Sequence, residues 1–275
     1  VVVGKGDVGA AFSAHAGIQK MVFTGSTPTG QAIYQGSAAF MRPLTLELGG
    51  NDAAIVLPDV NVAEAAAKIY AGAFINGGQT CAALKRLYVH ESIYADMCQA
   101  LADIADSVVV GDGMDERSQL GPVQNKMQYD KVNQYLQAAL AQGGRAVTQS
   151  TQLPAQGYFI RPTIVADVAN SVALVQEEQF GPVLPVVASQ NLADALQMAN
   201  GIEFGLGGSV WSQDLEAAQQ VAAQMQTGTG WINGHAEVAP HAPFGGWKLS
   251  GLGCEFGMDG LLANTRQKAV HVYKN

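Results

Sequence analysis

Two residues of this 275-residue chain combine a reactive side chain with a setting that could use it. Cys81 ends the run Asn76-Gly-Gly-Gln-Thr-Cys81, just beyond a helical pattern that starts near Asn61. In a Gly-rich loop a thiol can be partly exposed and reached by backbone N–H groups, which lower its pKa and stabilise an oxyanion. It needs that help, because a free thiol is only slightly ionised at neutral pH. Glu47 closes the apolar run Leu44-Thr-Leu-Glu-Leu48 and is followed by Gly49 and Gly50. Burial of a carboxylate at such a strand end raises its pKa toward the range of a general base. Alone, Glu47 reads equally well as a strand-edge charge facing water; beside a nucleophilic thiol, the base reading gains. Cys98 lies on a helical face with Tyr94, Leu101 and Ala105 and reads as an inert core filler, while Cys254 sits in a Gly-flanked loop without evident catalytic company.

Glycines mark the turns where a ligand could approach the backbone. Phe23-Thr-Gly-Ser-Thr-Pro-Thr-Gly30 is the better phosphate candidate: a strand ends there and small residues open a helix whose free N–H groups favour an anion. The opening Val1-Val-Val-Gly-Lys-Gly-Asp-Val-Gly9 matches a G-x-G-x-x-G spacing, but no Asp or Glu occurs between Asp7 and Glu47 to hold a ribose. Its second reading is a tight strand-to-helix turn near a cofactor but not cradling it. The five histidines show no metal-ligand spacing, so no metal site is expected. Trp231, His235 and His241 lie where they either contact substrate or pack a loop.

Short β-branched runs alternate with helical patterns along the chain. Strands are expected at 1–3, 21–23, 44–48, 53–57, 86–90, 160–165, 183–187 and 209–211. Val62, Ala65, Ala66, Ile69 and Ala73 fall at helical spacing, as do Ile93, Met97, Leu101, Ile104 and Val108; further helices are expected over 126–141 and from Leu215 to Met225. This alternation predicts an α/β fold with a parallel sheet, in which Gly-rich turns at the carboxyl ends of strands are the places for ligands. A net charge of −8 without any long Lys/Arg cluster offers nothing to a nucleic acid. No segment reads as a membrane span, and three scattered cysteines without a signal peptide suggest a cytoplasmic setting. The chain opens on valine inside an apolar run, which suggests that upstream sequence is missing.

Taken in series, Phe23-Thr-Gly-Ser-Thr, Leu46-Glu-Leu-Gly-Gly50, Asn76-x-Gly-Gln-x-Cys81, Glu177-Glu-Gln-Phe-Gly-Pro-Val183 and Pro243-Phe-Gly-Gly-Trp-Lys-x-Ser-Gly251 resemble the NAD(P)-dependent aldehyde dehydrogenase superfamily in order and spacing. The resemblance covers essentially the whole chain. It implies that Cys81 attacks an aldehyde to give a thiohemiacetal and that Glu47 is the base that hydrolyses the thioester left after hydride transfer to NAD or NADP. It implies further that Gly9, Phe23, Thr24, Gly25, Ser26, Leu48, Gly49, Glu178 and Phe180 lie on the cofactor. Ser26 would meet its pyrophosphate, Glu178 would hold the nicotinamide ribose, Phe180 would pack near the nicotinamide, and Phe244 would line the substrate entrance. Glu47 favours release of a free acid over transfer to coenzyme A.

The same resemblance implies a division into 1–47, the second half of a Rossmann-like NAD(P)-binding domain; 48–248, the catalytic domain; and 249–275, a return segment with an oligomerisation strand. The alternation Ala269, Val270, His271, Val272 fits a strand that pairs with a second subunit in a homodimer or homotetramer. Relatives are nearly twice this length, so weak NAD binding and impaired dehydrogenase activity are expected of this chain by itself. Two other readings remain: a non-catalytic binding derivative of the family, and a fragment that retains only esterase activity. Cys254 and Asn51 stand where the family often has Arg and Lys, which bears on subfamily more than on chemistry.

Overall fold

The computed structural model describes residues 1–150 and 152–274. In chain order the first elements are α1 (Gly6–Ala14), β1 (Met21–Thr24), α2 (Thr27–Ser37), β2 (Leu44–Glu47), β3 (Asp52–Val56), α3 (Val62–Phe74), β4 (Leu84–His90) and α4 (Tyr94–Ser107). They are followed by α5 (Lys126–Ala141), β5 (Arg145–Ala146), β6 (Thr163–Ala166), α6 (Ala173–Gln176), β7 (Val183–Ser189) and α7 (Leu192–Asn200). The chain then forms β8 (Phe204–Gly205), β9 (Gly207–Trp211), α8 (Leu215–Ala222), β10 (Thr229–Ile232), β11 (Trp247–Lys248), β12 (Gly251–Leu252) and α9 (Gly257–Leu262).

A seven-stranded sheet in the order β10-β9-β3-β4-β7-β6-β5 forms the body of the molecule. Every pairing in it is parallel except that of β5 with β6. Side chains alternate across it, as the pleat requires. Ala53, Ile55, Tyr88, Val187 and Val210 face one apolar cluster beneath α5, α7 and α8. Ala54, Val56, Leu87, Val89, Val186 and Trp211 face the other, closed by Ile69 of α3 and Met97 and Leu101 of α4. Strands covered on both faces read as continuous apolar runs, which is why they are visible in the sequence. The helices start where side-chain oxygens replace missing backbone partners: Asn61 accepts from the Glu64 N–H, Asn125 from Gln128, Asn191 from Asp194, and Asp214 from Glu216 and Ala217.

A second sheet, three-stranded in the order β1-β2-β12, has β1 and β2 parallel and β12 antiparallel to β2. A small antiparallel pair joins β8 to β11. The α/β class with a parallel sheet is as the sequence predicts, and the strands at 21–24, 44–47, 52–56, 84–90, 163–166, 183–189 and 207–211 match the expected runs within a few residues.

Two expectations need correction. Val1–Val3 form no strand: they are exposed and hydrogen-bond to no strand among the described residues, and a valine run cannot become a strand without a partner for its backbone groups. Gly9, expected in a turn, lies inside α1, and Ser13 Oγ donates to its carbonyl oxygen. The segment 265–274, for which pairing with a second subunit is expected, is exposed and lies in no strand of this chain. Helix α7 and strand β10 were not foreseen; α1 was indicated only by the strand-to-helix reading of the opening glycines, because it buries none of its residues and has no apolar stripe to announce it.

The two cores on either face of the large sheet make one prediction. Leu87 is fully buried in the central strand β4. Leu87→Ala is expected to cost about 2–5 kcal/mol, read as a lowered urea midpoint at unchanged slope.

Candidate active site

The five-residue path from Glu47 to Asn51 leaves the carboxyl end of β2 and enters the amino end of β3, so it crosses from the small sheet to the large one. Cys81 precedes β4 and Glu178 precedes β7, which places both at the amino ends of their strands. This differs from the expectation that ligand-binding turns sit at carboxyl ends. It holds for the small sheet, where Phe23 and Thr24 end β1, Gly25 and Ser26 follow it, and Glu47 ends β2; the large sheet presents its opposite end to them.

Glycine permits the meeting. A Cβ on Gly50 would lie 2.6 Å from the Cys81 carbonyl oxygen and 3.0 Å from Leu206 Cβ. A Cβ on Gly49 would lie 2.6 Å from Glu178 Oε2. The Gly50 N–H donates to Glu178 Oε1 at 3.0 Å. One side-chain-free turn thus touches both the loop of the candidate nucleophile and the carboxylate expected to bind ribose.

The Cys81 loop is built from unusual backbone. Asn76, Gly77 and Gly78 take positive φ of 50°, 66° and 72° in succession. A Cβ on Gly78 would come within 2.4 Å of the Gly181 carbonyl oxygen, so Gly78 lets the Phe180-Gly181-Pro182 segment dock against the loop. The Gln79 side chain ties the turn down by donating to the Asn76 and Pro122 carbonyls and accepting from the Gln124 N–H. Cys81 itself is half-buried and packs, as Trp231 does, against the cluster of Ala82, Leu206 and Phe244.

Electrostatics correct one expectation. Burial, rather than backbone donors, dominates the Cys81 thiol and pushes its pKa up; the Lys85 ammonium and the Ala82 N–H pull it down, while Asp52 and Glu178 raise it. Cys98, buried in α4, is pushed up to about 11 by burial, consistent with an inert thiol. Glu47 is 4% exposed, and neither of its carboxyl oxygens has a hydrogen-bond partner among the described residues. Burial first, and the Glu255 charge second, push it up to about 8. The alternative of a strand-edge charge facing water is therefore set aside. Its backbone is fixed on both sides, by the Gly25 N–H on its carbonyl and by pairing with Gly251.

Among the expected cofactor residues, Leu48, Gly49, Glu178 and Phe180 come together. Leu48 fills the space opposite Gly30 of α2, where a Cβ would approach within 2.4 Å. Thr24, Gly25 and Ser26 form an exposed rim at the end of β1, next to Glu47 in the sheet register, and Phe23 is half-buried. Ser26 caps α2, accepting from the Thr29 N–H at 3.4 Å. Gly9 lies within α1. Phe244 meets the Cys81 cluster, and its backbone pairs with Glu255. His241 is exposed, whereas His235 is buried, with Nδ1 3.0 Å from Ser209 Oγ and Nε2 3.6 Å from Asp52 Oδ2. Trp231 packs against His235 with ring centroids 4.8 Å apart and planes tilted by 51°.

Sequence reasoning missed Lys85 and Asp52. A lysine four residues after the thiol, in a strand otherwise buried on both faces, was the available signal. Among the described residues no group of three or more His, Cys, Asp and Glu side chains could hold a metal ion, and no helix is long and apolar enough to cross a membrane.

Residues 1–270 match the aldehyde dehydrogenase family. Phenylacetaldehyde dehydrogenase of Pseudomonas fluorescens is 40% identical over 260 residues, 94% of this chain and 52% of that protein. Betaine aldehyde dehydrogenase of Cereibacter sphaeroides is 38% identical over 272 residues, 99% of this chain and 56% of that protein. Among solved structures, a cysteine-to-alanine variant of aldehyde dehydrogenase C from Pseudomonas syringae, complexed with NAD+ and octanal, superposes with a TM-score of 0.90 at 36% identity. That likeness covers 95% of this chain and 55% of that one. The chain spans a little over half the length of the curated relatives it matches.

Glu47 generates a pH prediction. Its folded pKa of about 8 lies above its ordinary value of 4.5, so the stability it contributes is full below about 4.5 and is lost as pH rises through about 8. Thermal midpoints measured across that range should fall with pH, and Glu47→Gln should flatten the decline. An unchanged slope in the variant would place the titration elsewhere.

Proposed function

The chain belongs to the aldehyde dehydrogenase family, and from that premise we propose that it oxidises an aldehyde to a carboxylic acid through a covalent intermediate on Cys81. The observation that carries the reading is the meeting, at one glycine turn, of the Cys81 loop, the Glu178 carboxylate and the chain segment that bears Glu47. Cys81 adds through sulfur to the aldehyde carbon, and the carbonyl oxygen takes the negative charge, with the Ala82 N–H as a backbone donor at the sulfur. When bound, NAD+ or NADP+ accepts the hydride that the carbon must lose. Water then attacks the thioester carbon, Glu47 takes its proton, and the thiolate leaves as the acid is released. A carboxyl raised to about 8 holds its proton at neutral pH, so Glu47 acts in this step in its ionised minority or once solvent reaches it.

The residues fit a dinucleotide in three respects. Gly49 leaves room beside Glu178 that a Cβ would fill. Glu178 already accepts one backbone N–H and keeps its second oxygen for a ribose hydroxyl. Ser26 opens an 11-residue helix at the end of a strand, a setting that favours phosphate. The apolar wall of Leu206, Trp231 and Phe244 suits an aldehyde with an apolar body. We assign 1–47 to the cofactor half of the molecule, 48–248 to the thiol-bearing half and 249–275 to the return segment, where exposed Val270, Val272 and Tyr273 offer pairing to another copy of the chain in a homodimer or homotetramer.

Acyl transfer through Cys81 and Glu47 requires no cofactor, so ester hydrolysis tests the reading in this chain directly. With p-nitrophenyl acetate, Cys81→Ser is expected to lose roughly a hundredfold or more in kcat/KM. Glu47→Gln should release one equivalent of nitrophenol in a burst and then turn over slowly, because acylation survives and deacylation fails. Wild-type rates in Cys81→Ser would reject the nucleophile and favour a non-catalytic binding role.

A further inference from the structure

Lys85 is a charged side chain that the reaction outlined above does not use, yet it is 2% exposed and lies directly beneath the thiol loop. Its ammonium donates to the carbonyl oxygens of Thr80 at 2.7 Å, Cys81 at 2.8 Å and Ala83 at 3.4 Å. Burial pulls the Lys85 pKa down, while the nearby Glu178 and Asp52 carboxylates act to keep its charge; an ammonium has three N–H donors and a neutral amine two, so three converging carbonyls favour the charged form. The fourth neighbour is Glu178, whose Oε1 lies 3.8 Å from Nζ and also accepts the Gly50 N–H. The Phe180 ring stands 5.8 Å from the same nitrogen, within cation–π reach. One cation therefore touches the turn that carries the nucleophile and the carboxylate that faces the cofactor side.

We propose that Lys85 is a positioning residue for the Cys81 chemistry, holding the Thr80–Ala83 turn by its carbonyls and supplying the positive charge against which the thiolate forms. The proposal rests on Cys81 being the nucleophile. Its logic is a charge balance. The ionisable groups that act on the thiol besides Lys85 are Asp52, from the start of β3, and Glu178, from the segment before β7. Both are carboxylates, and both oppose a thiolate. Asp52 Oδ1 accepts the Gly207 N–H, and its other oxygen lies 3.6 Å from His235 Nε2 without a hydrogen-bond partner among the described residues. Arg86, the next residue, turns the other way: it donates to the Asn51 and Ala199 carbonyls and to the Tyr88 hydroxyl. Lys85 is thus the one cation acting on Cys81 among the described residues, and without it a half-buried thiolate would face two carboxylates. The strength of such coupling falls with water content, and this site is nearly dry on the lysine side.

The same geometry links the two halves of the reaction. A dinucleotide ribose that engages Glu178 would draw on the carboxylate that Lys85 now faces, and would leave more of the ammonium's field to the thiol. The thiol would then be most reactive when the cofactor side is filled.

The test is the pH profile of Cys81 alkylation by iodoacetamide, read by peptide mass spectrometry in the 275-residue chain. Lys85→Met keeps the length of the side chain and removes the charge; its profile should shift upward by roughly one to two pH units, while Lys85→Arg should stay near wild type. A Lys85→Met chain with a wild-type thermal midpoint and an unshifted profile would overturn the proposal. Should Lys85→Met fail to fold, the coupling is read from its other end, because it is reciprocal. In Cys81→Ser, the Lys85 side-chain carbon signals should titrate at lower pH than in wild type, and equal titration overturns the proposal. Failure of the nucleophile assignment itself is distinguishable, since it would show as intact ester hydrolysis in Cys81→Ser, whatever the alkylation profile reports.

Discussion

The absence of side chains at Gly49 and Gly50 is the constraint on which the site depends. At these positions a single carbon more would strike the Cys81 carbonyl oxygen, Leu206 or the Glu178 carboxylate. Because it is missing, the chain can pass from the small sheet to the large one in a few residues, with Glu47 at one end of the crossing and Asp52 at the other. The thiol loop is held from its opposite side by Gly78, which accepts the Gly181 carbonyl where any other residue would collide. Two backbone close approaches thus bring three segments, distant in sequence, to one place. The packed sheet behind them supplies rigidity and no chemistry.

What gathers there is a set of groups that would each be inactive alone. Burial disfavours ionisation of the thiol and of Glu47 alike. The opposition is resolved differently at the two positions. Cys81 has a buried ammonium and a backbone N–H to draw it toward the thiolate. Glu47 has no compensating partner and is held up further by Glu255, so it stays protonated until solvent or pH frees it. Two groups with environments that push them apart in function are the pattern expected of a nucleophile and a base. At Cys98 burial outweighs the pull of the Tyr94 hydroxyl and of Arg145, and the thiol is inert.

Much of this was legible in the sequence, and the limits have physical causes. The strands of the large sheet announce themselves because both faces are covered, and Asn61 and Asn125 mark helix starts through their caps. Cys81, Glu47 and Glu178 stand in motifs whose glycines have no other use. Val1–Val3 misled because strand propensity cannot make a strand without a neighbour to pair with. Helix α1 gave no periodic signal because it buries nothing, and only its glycines pointed to it. Which end of the large sheet faces the site could not be read either, since that depends on where β2 delivers the chain. Lys85 and Asp52 were overlooked because a charged residue next to apolar strand residues looks like a strand end; only the fold reveals that both are buried.

The central claim is that Cys81, and no other thiol, becomes covalently acylated in a site where Glu47 controls release. Its most direct measurement is acid-quench trapping of the chain with p-nitrophenyl acetate, followed by proteolysis and mass mapping of the acetyl group. The account predicts acetyl on the peptide carrying Cys81, persisting longest at pH below the range in which Glu47 ionises. Acetyl on Cys98 or Cys254 with Cys81 unmodified, or an adduct on Cys81 whose lifetime ignores pH, would contradict it.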